Sequence, residues 1–363
     1  YEALDPYTVH FKIKAKDVEF LNRLSGWGSS IISKKAVTED RDKGYLMGTG
    51  AYKVKEFSTM DHVSFERNEK YWGEKPLTKT QRWRVIPEAN TSEADIKLFQ
   101  AKPDKFSIIR QPPAGWPITV QFLMSDPIMA DYNFRRACVH AINREELALI
   151  VQGPEGYLPE KEGTMWGYYM PYRNPDVPFI EYSPQKAKEY LAKSSYNGEE
   201  ITMMAALISV DFVKVAEVIQ QQLAEVGIKT KILQTDNAGL QNATQPEARK
   251  KNPTYQILTW VQTLTGATLS GYKTSFGTGA VRNRQSFSNA ELDELLAKND
   301  VTEYGPEKEA IALRMQEIVG ESLCTVNLFW ERANHACVRE LGGIRIIAGS
   351  NIPDYRFIYK VTK

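Results

Sequence analysis

The sequence predicts an α/β protein in which mixed sheets are flanked by helices. The first hundred residues alternate apolar and polar side chains, which is typical of strands, whereas helical spacing dominates after about residue 117. A helical pattern that ends at Gly227 is followed by an alternating segment at 228–233. This order indicates a strand–helix–strand unit, and the three observations together favour the α/β class.

Composition excludes several classes of protein and partner. The 363 residues correspond to two domains or one large one, and 42% apolar with 25% charged residues is ordinary for a soluble globular protein. Mean hydropathy is −0.42, so disorder, collagen and coiled coil are poor interpretations. The net charge is 46 − 45 = +1, which does not predict nucleic acid as a partner. The longest apolar runs fall far short of the roughly 20 residues of a membrane-spanning helix.

Several strands and one helix are predicted before residue 117. Alternation at 8–13 indicates a strand, and two more strands at 51–57 and 62–67 flank a polar turn. A fourth strand is predicted at 80–86, followed by a helix that begins at Thr91 and stops before Pro103. The breaker-rich segment QPPAGWP at 111–117 predicts a linker.

Helices dominate the rest of the chain. Their starts carry capping signals, such as Asn143 with Glu146 three residues later and Ser183 before Pro184. The first of these two helices is expected to bury Leu147, Ile150 and Val151. Strands are predicted at 325–329 and 343–347. Helices are predicted at 134–142, Asn143 to Gly153, Ser183 to near Gly198, Asp211 to Gly227, from Ser288 capped with Glu291, and from Pro306.

The cysteines and histidines predict neither a metal site nor a catalytic site. Cys138, Cys324 and Cys337 are interpreted as three buried, small, apolar side chains, and a Cys324–Cys337 bridge is the alternative. The four histidines are dispersed, and HExxH, GxSxG and a glycine-rich phosphate loop are all missing from the sequence. No cofactor, metal or catalytic residue is therefore predicted, although folding could still bring two carboxylates together.

Six segments, in order along the chain, resemble one family. The sequence is similar to the extracellular solute-binding proteins of ABC importers, in the dipeptide, oligopeptide and nickel group. Each segment is weak alone, but together they span nearly the whole chain. They are 3–11 (ALDPYTVHF), 48–52 (GTGAY), 66–73 (ERNEKYWG), 134–145 (FRRA to AINRE), 182–187 (YSPQKA) and 219–228.

The resemblance implies a two-lobed periplasmic-binding-protein-like fold of the large peptide-binding class. Residues 1–116 and 333–363 would form lobe I, with its amino-terminal part absent, and 117–332 would form lobe II. A ligand would be enclosed between the lobes, and the partner would be a membrane-bound ABC permease. A monomer is expected outside the cytoplasm, in the periplasm or as a cell-surface lipoprotein.

Aromatic clusters in breaker-rich loops are the first candidates for the binding site. Aromatic rings give a large contact area at little cost in rotamer freedom, which suits a cleft that holds and releases a solute. The alternative is that these rings belong to the core. The candidates are Trp27, the group Trp166, Tyr168 and Tyr169, and Trp260.

The segment after Trp260 is the most informative for specificity. In peptide-binding members of the family, an aspartate three residues after this tryptophan pairs with the ligand's α-amino group; here Thr263 stands there beside the uncharged Gln262. A hydroxyl cannot neutralise a buried ammonium group. A carbohydrate, an opine-like compound, a metal chelate and a peptide held by other groups all stay open.

A second polar segment follows at 282–284. Arg282, Asn283 and Arg284 precede a helix in a region that family members bring near the cleft. Two guanidinium groups could bind a carboxylate or phosphate, whereas an exposed surface pair is the alternative. Arg282 and Asn283 join the candidate ligand-binding residues.

The sequence thus predicts a protein without catalysis, the substrate-binding component of an ABC importer that captures a small or peptide-like solute. One alternative is a hydrolase that uses carboxylates in the cleft of a similar scaffold. Another is a receptor or chaperone-like binder that serves no transporter.

Overall fold

The structure, a computed structural model, divides the chain into two compact units. Unit 1 comprises Tyr1–Gly26, Thr119–Asn143 and Lys161–Asn327. Unit 2 comprises Trp27–Ile118, Arg144–Glu160 and Leu328–Lys363. The structure describes residues 1–24, 29–59, 61–84, 93–110, 117–167, 170–207, 210–251, 253–261, 269–332, 334–346 and 353–361.

The strands lie mostly where alternating or continuous apolar patterns occur. They are β1 (Glu2–Asp5), β2 (Thr8–His10), β3 (Tyr52–Ser58), β4 (His62–Arg67), β5 (Thr80–Arg84), β6 (Phe106–Arg110), β7 (Pro117–Phe122), β8 (Tyr157–Pro159), β9 (Ile201–Ala206), β10 (Thr230–Thr235), β11 (Ile257–Val261), β12 (Thr325–Glu331), β13 (Asn334–Val338), β14 (Leu341–Gly342), β15 (Arg345–Ile346), β16 (Pro353–Asp354) and β17 (Tyr359–Lys360).

The helices are concentrated in unit 1, as the sequence predicts. They are α1 (Phe20–Leu24), α2 (Lys34–Glu39), α3 (Arg41–Gly44), α4 (Glu93–Gln100), α5 (Pro127–Ala130), α6 (Tyr132–Ala141), α7 (Arg144–Gln152), α8 (Pro184–Ala192), α9 (Val210–Glu225), α10 (Asn237–Ala243), α11 (Pro246–Lys251), α12 (Ser270–Phe276), α13 (Ala290–Val301) and α14 (Pro306–Ser322).

The main sheet of unit 1 has the strand order β10-β9-β11-β7-β12. Strands β10 and β11 both run parallel to β9, which sets their carboxyl ends at one edge. Because β9, α9 and β10 follow one another with β9 and β10 parallel, the predicted strand–helix–strand unit is confirmed.

Apolar spacing on α9 explains how this helix covers the sheet. Val215, Ile219 and Leu223 recur every four residues and are fully buried. The helix is followed by Gly227, whose φ of +95° lies in the left-handed region that glycine adopts without strain. A second cluster of unit 1 packs α12, α13 and α14 around Trp166, Tyr272 and Phe276.

The first residues of the chain belong to unit 1 because a buried ion pair fixes them there. Glu19 and Lys308 both have no exposed side-chain surface, and their Oε1 and Nζ atoms are 3.2 Å apart. The Lys308 ammonium also donates to the carbonyls of Asn299 and Thr302. Burial raises the pKa of the Glu19 carboxyl, but hydrogen bonds from Asn22, Tyr304 and Lys308 outweigh it and lower that pKa overall.

The compact units and the predicted lobes differ in two long segments and, by a few residues, at 117–118 and 328–332, which cluster with unit 2. Residues 1–26 cluster with unit 1 and residues 144–160 with unit 2, whereas the sequence assigned 1–116 to lobe I and 117–332 to lobe II. The lobe boundaries stay a prediction.

Unit 2 contains small antiparallel sheets. Strands β3, β4 and β5 form one of them, which confirms the predicted hairpin at 51–67. The later residues of β12 pair antiparallel with β8, and the Trp330 indole Nε1 donates to the Glu160 carboxylate at 2.7 Å. Burial lowers the pKa of the Arg144 guanidinium to about 10, although the negative charge of Glu160 acts in the opposite direction and raises this pKa.

Some predicted element details are wrong. The side chain that caps α13 is Asn289, not Ser288, since its oxygen accepts from the Leu292 amide. Helix α8 ends at Ala192, six residues before Gly198, because the chain turns there through hydrogen bonds to the Tyr190 and Leu191 carbonyls. Ile150 of α7 is 56% exposed, while Ala148 takes its predicted place in the core.

The strand predicted at 8–13 is shorter than expected. It comprises only the three residues Thr8–His10 and forms an exposed hairpin with β1. All three cysteines are free, so Cys324 and Cys337 form no bridge; Cys138 and Cys324 are buried as predicted, whereas Cys337 is only partly buried. The linker at 111–116 and the helix start at Thr91 lie outside the described residues. Among the helices that the structure describes, none is long and apolar enough to cross a membrane.

Candidate functional site

The parallel strands of unit 1 place Trp260 at the edge of the sheet where ligand sites form in open α/β folds. Trp260 is the second-to-last residue of β11. The carboxyl end of β9 lies beside it, and α9 begins at Val210 shortly after that strand. The fold therefore brings the strongest sequence candidate to the expected edge.

Trp260 is held by two contacts to its ring and one to its backbone. The Phe212 ring stacks on it with centroids 5.1 Å apart and planes 27° apart. The guanidinium carbon of Arg284 lies 5.2 Å from the indole centroid, a cation–π distance. The Thr119 hydroxyl donates to the Trp260 carbonyl at 2.8 Å, and only 7% of the residue is exposed. The ring is fixed in one orientation before any ligand arrives.

The loop that carries Arg284 is locked by Asn283. The Asn283 amide nitrogen donates to the carbonyls of Gly277 and Phe287, at 2.9 and 2.7 Å, and its Oδ1 accepts from the Phe287 amide. Ser286 has a φ of +53°, an uncommon left-handed conformation for a residue other than glycine. Asn283, 1% exposed, holds the loop, while Arg282 lies exposed.

Tyr255 joins this loop to helix α11. Its hydroxyl donates to the Arg284 carbonyl at 2.8 Å, and burial raises the pKa of the phenol to about 12, so it stays neutral. Arg249 of α11 is 3% exposed and hydrogen-bonds the same tyrosine. Burial lowers the pKa of both guanidiniums, Arg249 and Arg284.

Arg249, Tyr255 and Phe212 are the members of this arrangement that sequence reasoning missed. Arg249 lies in the basic run ARKK, which is typical of an exposed helix face, and Tyr255 follows a proline in an otherwise plain segment. Their position is the signal that could have found Arg249 and Tyr255, because both come shortly before β11, the strand that carries Trp260.

Trp166 has the contacts of a core residue. It has no exposed surface and packs edge-on against Tyr272, with centroids 5.1 Å apart. Its indole Nε1 donates to the Pro171 carbonyl at 2.7 Å, and its own carbonyl accepts from Arg173. The ring is enclosed and its N–H group already has a partner, so these contacts give no sign of a ligand. The role of Trp166 in ligand binding stays a prediction.

Five other residues that the sequence predicts to bind the ligand lie outside the described residues. They are Trp27, Tyr168, Tyr169, Gln262 and Thr263.

The titratable groups in the described part of the chain do not gather into a metal site. No group of three or more His, Cys, Asp and Glu side chains there could hold a metal ion. In unit 1, His140 hydrogen-bonds the Glu181 carbonyl and stacks on Tyr190. In unit 2, the nitrogens of His62 lie 3.0 and 2.8 Å from Glu56 and Asp61. These contacts are of the kind that hold local structure.

Known sequences similar to this chain are solute-binding proteins. Residues 1–281 match the family described as bacterial extracellular solute-binding proteins, family 5 middle. The glutathione-binding protein GsiB of Escherichia coli K12 is 25% identical over 391 residues, which cover 99% of this chain and 73% of GsiB. The GsiB of Pectobacterium atrosepticum is 26% identical, covering 99% and 72%.

Solved structures show the same fold. The periplasmic binding protein DppA of Helicobacter pylori, in complex with the peptide STSA, has a TM-score of 0.83 at 20% identity, covering 99% of this chain and 73% of DppA. The oligopeptide-binding protein AppA of Bacillus subtilis, with a nonapeptide, has a TM-score of 0.78 at 19% identity, covering 97% and 76%. The predicted two-lobed periplasmic-binding-protein class is confirmed.

The similar proteins share one general function. They are transport proteins that bind solutes outside the cytoplasm, and they are not enzymes. The match covers well over half of the sequence. This chain therefore belongs to the bacterial extracellular solute-binding proteins of family 5, the substrate-binding components of ABC importers.

Proposed function

We propose that this chain captures a small, peptide-like solute between two lobes and delivers it, unaltered, to a membrane permease. The family match supports the transport role, and the named relatives bind glutathione or peptides. Lobe II, roughly 117–332, would provide Trp260 and its neighbours, and lobe I the opposite wall. The chain would work as a monomer in the periplasm or as a cell-surface lipoprotein.

The observation that carries this proposal is the fixed Trp260 ring. It lies at the carboxyl edge of the parallel strands, in contact with the Phe212 ring and the Arg284 guanidinium. A preorganised aromatic platform lowers the entropy cost of binding, because the ring does not have to be ordered when the solute arrives. Trp260 supplies the apolar contact in this proposal, and the following residues, Gln262 and Thr263, supply neutral polar groups.

Thr263 defines the solute class. A threonine hydroxyl at this position can exchange hydrogen bonds but cannot neutralise an ammonium group, whose burial without a counter-charge costs several kcal/mol. Solutes that present a neutral or anionic group there are expected to bind better than simple dipeptides with a free amino terminus. Glutathione, whose α-amino group is remote from its peptide bonds, is the first probe to test.

Calorimetric titration of the purified chain tests the proposal. The panel contains glutathione, an unblocked dipeptide and its N-acetylated form. We expect saturable one-to-one binding of at least one neutral or anionic member and weak binding of the unblocked dipeptide. Thr263→Asp should improve binding of cationic members by restoring an opposite charge, and Thr263→Ser is the matched control.

Two results would contradict this assignment. Tight binding of the unblocked dipeptide that is lost on acetylation would show that another carboxylate replaces the missing aspartate. Turnover of any panel member, seen as product in the calorimeter cell, would favour the hydrolase alternative, which no observation on the described residues supports.

A further inference from the structure

We propose that Thr119 is a positioning residue for Trp260, because its hydroxyl ties the Trp260 carbonyl to a strand that passes from one compact unit to the other. The chain leaves unit 2 at Ile118 and enters unit 1 at Thr119, within β7. A change in the backbone at this crossing would therefore reach Trp260 through one side chain. This inference rests on the proposed function, which assigns the solute to the Trp260 ring.

The crossing segment is stiff because of its residue types. Pro117 is the first residue of β7, and its ring fixes φ near about −65°. Ile118, Thr119 and Val120 follow, and the branch at Cβ restricts the χ1 angle of each of them. Ile118 and Val120 are both 1% exposed, so packing restrains them further. The direction of the Thr119 hydroxyl is therefore set by the backbone of the crossing strand.

The Thr119 hydroxyl has one hydrogen to donate, and its neighbours commit that hydrogen to Trp260. The Gln121 amide nitrogen donates to the Thr119 Oγ1 at 3.2 Å, and the Thr119 hydroxyl donates to the Trp260 carbonyl at 2.8 Å. Thr119 has no exposed surface, and Gln121 is 1% exposed. In a buried chain of two hydrogen bonds, each bond polarises and strengthens the other.

This contact fixes the backbone of Trp260, whereas the contacts described above fix its ring. Strand β7 lies beside β11 in the main sheet, so the Thr119 hydroxyl reaches a neighbouring strand. Near the other end of β7, the Leu123 amide donates to the Gln256 carbonyl at 2.9 Å, just before β11 begins. The alignment of the two strands thus sets Thr119 beside Trp260.

The strand on the other side of β7 provides a matched comparison. Strand β12 lies beside β7 and also passes between the units, after Asn327. Its residue Thr325 is 2% exposed, and in the described part of the chain the Thr325 hydroxyl has no hydrogen-bond partner. Removal of this hydroxyl should leave Trp260 undisturbed. Thr119 and Thr325 together separate a specific hydrogen bond from the general loss of a buried hydroxyl.

Nuclear magnetic resonance of the Trp260 carbonyl in the full chain tests the inference directly. Trp260 and Val261 form the only Trp–Val pair in the sequence, so a chain with ¹³C in its tryptophan carbonyls and ¹⁵N in its valines gives one HNCO signal. We expect Thr119→Val to move the carbonyl resonance upfield, because the oxygen loses a donor, and Thr119→Ser to keep it near its original position. Thr325→Val is the matched control and should not move it.

A double-mutant cycle tests the link to the crossing. Pro117→Ala frees the φ angle at the start of β7, and we expect it to move the same signal when Thr119 is present. In the Thr119→Val background, Pro117→Ala should add little, because the hydrogen bond that carries the change is missing. Additive shifts in the double variant would refute the link. A signal that does not move in either single variant would refute it too.

Solute affinity gives the functional result. For a panel member that binds the unmodified chain, Thr119→Val should weaken calorimetric binding about fivefold, the scale of one buried hydrogen bond, and Thr119→Ser should restore most of it. Unchanged affinity in Thr119→Val, or an equal loss in Thr325→Val, would overturn the positioning role.

Two further outcomes are kept distinct. If no panel member binds, the proposed solute class fails, while the carbonyl signal still decides for or against the Thr119 contact. If Thr119→Val does not fold, as judged by its thermal melt, Thr119→Ala takes its place with the same expected results.

Discussion

Glu19 and Lys308 form an ion pair in the interior of unit 1, with Oε1 and Nζ 3.2 Å apart and neither side chain exposed. The Tyr304 hydroxyl donates to the same carboxylate oxygen at 2.8 Å. Buried pairs of this kind specify which segments pack together, because either partner alone would be a desolvated charge. This pair joins the start of the chain to helix α14.

Breaking the pair from one side should destabilise unit 1. Lys308→Met leaves the Glu19 carboxylate buried without its counter-charge, so we expect the free energy of unfolding to fall by about 3–5 kcal/mol. Urea unfolding followed by circular dichroism measures the change. The double variant Glu19→Gln with Lys308→Met should recover much of the loss. A double variant as unstable as Lys308→Met would show that packing, not charge, is responsible.

Trp260→Ala should cost stability as well as affinity. The indole packs against Phe212 and Arg284 and is almost fully buried, so its removal should leave a cavity in unit 1. We expect a loss of about 3–5 kcal/mol in the free energy of unfolding, whereas Trp260→Phe should lose much less. An equal loss in the two variants would mean that the indole does not pack as described.

The stability of the β3–β4 hairpin should depend on the protonation of His62. Hydrogen bonds that the imidazole donates to the Glu56 carboxylate and then to the Asp61 carboxylate raise its pKa above 6.5. The folded state holds the proton more tightly than the unfolded state, so this contribution is fully present below about pH 6.5 and is lost as the pH rises through the folded pKa. The chemical shift of the ring Cε1 proton follows the titration. Glu56→Gln should lower the midpoint, and a wild-type midpoint below 6.5 would refute the assignment.

The three thiols should differ in reactivity. Burial raises the pKa of the Cys138 and Cys324 thiols, that of Cys324 to about 11, so both stay protonated and enclosed at neutral pH. Cys337 is only partly buried, although burial raises its pKa too. An aromatic disulfide reagent should therefore label Cys337 first in the native chain, and the Cys337→Ser variant should lose the fast phase. Fast labelling of Cys138 would contradict the packing of α6.

Local patterns were enough to predict most elements of unit 1. Val215, Ile219 and Leu223 on α9 are buried as their spacing requires, and Pro306 begins α14. Errors arose where two neighbouring residues could perform the same task. Ser288 and Asn289 are both good cap residues, and only the backbone turn decides which one reaches the Leu292 amide.

The candidate site was less predictable because its members come from separate segments. Trp260 could be found from its family motif, but Arg249 resembles any exposed basic helix residue in the sequence. Its burial depends on tertiary packing against Tyr255, which no local pattern encodes. Trp166 is the converse case, since a breaker-rich loop suggested a ring that lines the cleft, whereas the structure gives this residue no exposed surface. Its role in binding stays a prediction.

Reversible capture of an unaltered neutral or anionic solute is the central property expected of this chain. Native mass spectrometry of the protein purified from its host measures it most directly, by weighing the intact complex and then the solute that denaturation releases. We predict one equivalent of a single neutral or anionic solute, which exchanges with added solute and keeps its mass after prolonged incubation. A solute that is converted to a product during incubation, or a released solute that is a simple dipeptide with a free amino terminus, would contradict it.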